Sequence, residues 1–239
     1  MNKHSLNRFI DKYYLGGNCS SVVIKSDGNN LSTRFITGDK NLLGELKMSD
    51  WKFDKAELGV YNTEQLVKLL SVMSDNISMN LTKAGDKVVS LKISDSSSDV
   101  NYMLSDLSVI SSPPNLKSVP EFEVKIKVDK SFISKFVAGK GALADTDNFT
   151  ILTNDDGVKV VIGYAEINTN RVTLPVETES YDKIDNVSFN ANLFRDVLVA
   201  NKECESATLE VSSEGLSKIT FRVDDFSVTY WLVASTNDD

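Results

Sequence analysis

The 239-residue sequence has a single histidine, two cysteines and four prolines. No apolar run approaches the ~20 residues that a membrane-spanning helix needs. Each scarcity excludes something. With His4 alone, near the start, there is no Ser–His–Asp or Cys–His nucleophile and no histidine-based metal cluster. Cys19 and Cys204 are too few, in too long a chain, for a disulfide framework. They stand in no metal-ligand spacing and read as buried free thiols. The opening MNKHSLNRFIDKYY has no continuous signal-peptide core. A cytoplasmic protein is expected, in the host cytoplasm if viral, with no membrane partner.

Phosphate-binding and metal-binding loops are missing as well. AGKGALA (residues 138–144) follows a predicted helix, whereas a dinucleotide loop follows a strand and opens a helix. It reads as a helix stop. The acidic stretches ADTDN and TNDDG do not fit a calcium loop and read as turns. No catalytic residue, metal or cofactor is expected, and the chain is not read as an enzyme.

Positive charge is in deficit too, but unevenly. The formal net charge is −8; residues 1–108 carry 13 basic and 13 acidic side chains, residues 109–239 carry 13 and 21. Duplex binding is dominated by phosphate neutralisation, so an acidic protein does not coat DNA by bulk attraction. Its basic residues matter only where they cluster.

What the chain does have is a 41% apolar composition, enough for packed cores, and a repeated layout. In SLNRFIDKYY the residues Leu6, Phe9, Ile10, Tyr13 and Tyr14 fall on one helical face. In DKSFISKFVAG, Ile133, Phe136 and Val137 take matching places 127 positions later, with Asp129 as N-cap and Gly139 as stop. SSVVIKSDGNNLSTRF and NFTILTNDDGVKVVIGY each set an Asp-Gly turn between apolar runs, a hairpin signal. LLGELKM and NRVTLPV follow as strands.

YNTEQLVKLLSVM and FNANLFRDVLVAN then predict a second helix in each half, capped by Asn62 and Asn190. Tyr61 with Leu66, and Phe189 with Phe194, have the spacing of a hydrophobic staple. Closing strands follow, with hairpins at Gly85 and Gly215. The expectation is an α+β fold of two tandem repeats, each with two helices packed on antiparallel sheet. Residues 1–108 form domain 1, 109–121 a Pro- and Ser-rich linker, and 122–239 domain 2.

The cations of the helices repeat as well. Lys3, Arg8 and Lys12 accompany the first helix, and Lys130 and Lys135 stand 127 positions after Lys3 and Arg8. Lys140 ends the third helix, Lys68 lies on the second, and Arg195 and Lys202 belong to the fourth. All nine are expected on outward helix surfaces.

In this order of elements the chain resembles the sliding DNA clamps, most of all the T-even-type bacteriophage clamp and more distantly proliferating-cell nuclear antigen. FDKAELGVYNTEQLVKLLSVM resembles the first-domain strand and second helix of that family. NDDGVKV resembles the second-domain hairpin, and VTYWLVASTNDD the closing strand and acidic tail.

The resemblance implies a six-domain homotrimeric ring around duplex DNA, with the nine cations facing phosphates non-specifically. A replicative DNA polymerase and a clamp-loader ATPase are the implied partners, with transcription factors a further one in the T-even type. It implies a partner-peptide pocket at Leu42, Ile110, Leu116, Trp231 and Val233. It also implies a subunit interface between edge strands at Ser78, Met79, Asn80 and Leu81 of one copy and Val160, Val161, Ile162, Gly163 and Tyr164 of the next. The alternative reading is a duplicated, β-rich viral structural or protein-interaction module without a DNA function.

Overall fold

The structure is a computed structural model that describes residues 1–116, 118–167 and 169–235. Among these it has four α-helices and sixteen strands, all paired antiparallel where pairing is defined, an α+β fold. Contacts divide it into two compact units. The first comprises Met1–Gly38, Leu43–Pro114 and Asp224–Val228; the second comprises Asp39–Leu42, Asn115–Val223 and the chain from Thr229 on.

The first unit opens with α1 (Lys3–Tyr14), which buries Leu6, Phe9, Ile10 and Tyr13. Strands β1 (Val22–Ser26), β2 (Leu31–Ile36), β3 (Leu42–Met48) and β4 (Ala56–Val60) are hydrogen-bonded neighbours in the order β3-β2-β1-β4 within a nine-stranded sheet. Alternation in β2 turns Leu31, Thr33 and Phe35 inward. The β1–β2 turn is an Asx turn: the Asp27 carboxylate accepts the N–H groups of Asn29 (2.9 Å) and Asn30 (2.8 Å), and Gly28 takes φ 106°. Helix α2 (Thr63–Ser71) follows, and β5 (Ser78–Ala84), β6 (Lys87–Ser94) and β7 (Asp99–Met103) form a second sheet in that order.

The second unit begins with β8 (Val124–Asp129) and α3 (Lys130–Ala142). Then come β9 (Asn148–Asn154), β10 (Gly157–Ile162), β11 (Val172–Pro175), β12 (Thr178–Tyr181), β13 (Val187–Asn190) and α4 (Ala191–Ala200). The chain closes with β14 (Ser206–Val211), β15 (Leu216–Val223) and β16 (Phe226–Val233). One sheet runs β11-β10-β9-β13, and β12-β8-β14-β15-β16 are neighbours in that sequence in the nine-stranded sheet.

The duplication is written into the register. Ile24 faces Thr33 in the first unit, and Ile151 faces Val160, 127 positions on, in the second. Asn2 bridges Asn76 where Asp129 faces Ser206.

Each unit has an apolar core between its helices and sheets, and the second is the more aromatic. Phe136 of α3 meets Phe149 and Phe194 edge-on at 5.2 and 5.0 Å, while Phe149 stacks on Phe194 at 4.8 Å. Such pairs contribute about 0.5–1.5 kcal/mol each beyond their burial. The corresponding first core holds Phe9, Tyr13 and Phe35, with centroids 6.0 and 6.3 Å apart. Both thiols are buried, one per unit: Cys19 in the first and Cys204 in the second. Burial pushes the Cys19 thiol up to about 11.

Four expectations change. The second unit starts with a strand, β8, rather than a helix; the alternation of Val124, Ile126 and Val128 is its signal. Gly139 does not stop α3, which runs on to Ala142. A Cβ at Gly139 would lie 3.0 Å from Val172 Cγ1 and 3.2 Å from Ile162 Cδ1, so the glycine allows close packing rather than termination. Tyr61 is 58% exposed and forms no staple in the first copy. Among the described linker residues only Ile110 is buried, while Val109, Leu116 and Val119 are exposed. The acidic tail assigned by resemblance, residues 236–239, lies outside the described residues.

Candidate nucleic-acid interface

The four helices carry the proposed phosphate-facing cations, and their caps fix where each helix begins. Asn62 accepts the Gln65 N–H and Asn190 the Leu193 N–H, both at 2.9 Å. Asp129 accepts the Phe132 N–H at 2.7 Å, and Asn2 takes the same role for α1 by accepting the His4 N–H at 2.7 Å. Within the first unit Tyr13 Oη lies 3.3 Å from Thr63 Oγ1, which joins α1 to α2. Within the second, the Phe136–Phe194 contact joins α3 to α4.

One cation on each helix is paired with a carboxylate. Arg8 on α1 meets Asp224 at 2.9 Å, and Lys68 on α2 meets Glu64 one turn earlier at 2.6 Å. Lys130 on α3 meets Glu205 at 2.5 Å, and Arg195 on α4 meets its neighbour Asp196 at 2.8 Å. The hydrogen bond from Lys68 holds the Glu64 carboxyl below its ordinary range and raises the Lys68 ammonium in turn. Lys135 and Lys202 are exposed and form no ion pair among the described residues.

The remaining three cations are spent inside the chain. Lys3 donates to the carbonyl of Met73, just past the end of α2. Lys12 was expected on the outward face of α1 but is 1% exposed, with Nζ 5.3 Å from the centre of the Phe226 ring. Arg8 lies over the same ring at 4.6 Å. Lys140, also 1% exposed, donates to the carbonyls of Leu143 (3.2 Å) and Ala144 (2.8 Å). It therefore ties down the turn just past the end of its own helix, where the Leu143 carbonyl also accepts the Thr146 N–H at 3.1 Å. Neither buried lysine presents its charge outward.

The other predicted sets divide similarly. Of the pocket residues, Leu42 and Ile110 are core, Ile110 lying beside Gly59, whereas Leu116 and Val233 are exposed. Trp231 is half-buried, and its indole N–H is enclosed without a partner. Of the interface strands, β5 holds Ser78–Leu81 and pairs only with β6 among the described strands. Val160, Val161 and Ile162 cannot act as an edge. They belong to β10, which has β9 on one side and β11 on the other, and all three are buried. Gly163 donates its N–H back to Asn148 O, and Tyr164 accepts from Asn186. Among the described strands the edges of that sheet are β11 and β13, and β13 already accepts the Ser235 N–H at Ser188 O.

No known protein family and no curated protein matches the chain in sequence. Solved structures match in shape. The proliferating cellular nuclear antigen of Entamoeba histolytica superposes with a TM-score of 0.75 at 14% identity, over 98% of this chain and 96% of that one. The fold is the clamp fold of that antigen. The clamp fold accounts for the repeated strand order and for one pair of helices per unit. No helix among the described residues is long and apolar enough to cross a membrane.

Proposed function

We propose that this chain is a sliding clamp, which encircles duplex DNA and tethers a replicative DNA polymerase for processive synthesis. The observation that carries the reading is the full-length clamp fold, reached at a sequence identity of only 14%. In this reading three copies, each contributing two units, close head to tail into a ring, a heterologous contact that closes by rotation.

Strand edges support that closure, with different strands from those the sequence pointed to. The edge of β5 is blunted by a register shift at Thr82/Lys83 and by the lysine itself. The edge of β7 has no such break and ends on Met103, 64% exposed. Strand β7 of one copy and β11 of the next therefore form the subunit contact.

The helices line the hole. Lys135 and Lys202 meet phosphates directly, while Arg8, Lys68, Lys130 and Arg195 exchange their carboxylates for phosphates as the duplex passes. Such contacts carry no base information and hold weakly, which suits sliding. The ring is loaded by an ATP-driven clamp loader, and partner peptides dock near Trp231 and Leu116. The T-even bacteriophage type, with its tethered transcription factors, rests on the sequence stretches quoted above.

Light scattering across a wide concentration range tests the ring. A species near three times the 26.4 kDa chain is expected. A monomer at every concentration overturns it.

A further inference from the structure

The second unit holds a groove of about 650 Å³ on the sheet face that α3 and α4 do not cover. On β8, Val124, Ile126 and Val128 point to the core, so Lys125 and Lys127 point the other way. On β14 and β15 the same alternation presents Thr208 and Glu210, and Lys218, Thr220 and Arg222. Register sets them in rows: Lys127 beside Thr208 beside Thr220, and Lys125 beside Glu210 beside Lys218. Glu179 closes one side and accepts the Thr208 hydroxyl at 2.8 Å.

The lining is four cations against two carboxylates, in a chain of net charge −8. Two of the cations are already satisfied: Lys127 by Glu177, just outside the groove, at 2.5 Å, and Lys218 by Glu210 at 2.6 Å. Lys125 and Arg222 form no ion pair among the described residues.

We infer that this groove is a docking site for an extended acidic peptide segment of a partner protein. Alternate side chains of an extended peptide lie about 6.5–7 Å apart, the same step that separates Lys125 from Lys127 along β8. One acidic residue at that spacing meets Lys125, the next displaces Glu177 from Lys127, and a third reaches Arg222. Glu179 and Glu210 accept hydrogen bonds only. They suit a ligand that also brings N–H donors, as a peptide backbone does at every residue. A phosphodiester chain has no N–H donors along its backbone to offer them. The groove thus favours acidic peptide over nucleic acid, and it stands independently of the clamp reading.

The test uses the full chain at low salt with three fluorescent probes: hexaglutamate, hexathymidylate and a Gly/Ser hexapeptide. Binding is followed by anisotropy and mapped by amide chemical shifts. Hexaglutamate is expected to bind, to shift the amides of Lys125, Thr208 and Arg222, and to weaken about tenfold in Lys125→Gln/Arg222→Gln. The mapping on the unaltered chain decides the location without the variant. Tighter binding of hexathymidylate in the groove, shifts confined to other surfaces, or no binding of hexaglutamate overturns the inference.

Discussion

Asn2 bridges Asn76 as an isolated antiparallel pair, and the Asn2 side chain also caps α1. Asp129 occupies the equivalent place in the second unit, facing Ser206 and capping α3. Asn2→Ala and Asp129→Ala should each lower stability by about 1 kcal/mol, the usual worth of an N-cap. Denaturant melts of the two variants measure this, and a cost at only one position would break the equivalence.

Neutralising the carboxylates on the helices should tighten the grip on DNA. Glu205→Gln leaves Lys130 without its partner and Glu64→Gln does the same for Lys68. Each freed cation should steepen the salt dependence of DNA binding by up to about 0.9 in log–log slope per chain. Lys130→Glu with Lys135→Glu should act oppositely and shorten polymerase runs on long templates. Unchanged slopes in the glutamine variants would remove these helix faces from DNA contact.

Two glycines of α3 should respond in opposite directions to the same change. Nothing lies within 4 Å of a Cβ at Gly141, so Gly141→Ala should stabilise by about 0.5–1 kcal/mol through helix propensity alone. Gly139→Ala pushes against Val172 and Ile162 and should destabilise. Thermal melts that rank the two the other way would refute the tight packing of α3.

Acid should erode stability through a group of surface carboxylates. The Ser108 N–H and hydroxyl, then Lys87, hold the Asp106 carboxyl down at about 2, against an ordinary 3.8. Hydrogen bonds from Ser74 and Ser97 lower Asp95 as well, and the Asn30 side chain lowers Asp27. A depressed folded-state value means that the ionised form favours folding. The contribution is therefore complete above about pH 4 and is lost as the pH falls toward about 2. Carboxyl chemical shifts of Asp106 across that range report it directly, and Asp106→Asn should flatten the acid limb of the stability curve.

Local features were legible in the sequence. The Asn62 and Asn190 caps, the Asp27-Gly28 turn and the α1 stripe depend on residues within one turn of each other, and all stand where expected. Tertiary placement was not legible. Lys12 and Lys140 look alike as helix lysines. Phe226, more than two hundred residues away in sequence, draws in one, and the carbonyls just past the end of its own helix hold the other. Whether β10 is an edge is decided by β11 and β9 flanking it, not by its own residues. Strands β8 and β13 were missed with their signal in plain view, in the alternation of VKIKVD and of VSFN.

Each unit carries one thiol, enclosed by its own core, so the chain has a built-in probe in each half. A reagent that attacks only exposed thiolate can react with Cys19 when the first unit opens and with Cys204 when the second does. Peptide mapping of the labelled chain would separate the two rates. Comparing them, with and without partners, resolves whether the two halves breathe together or one at a time.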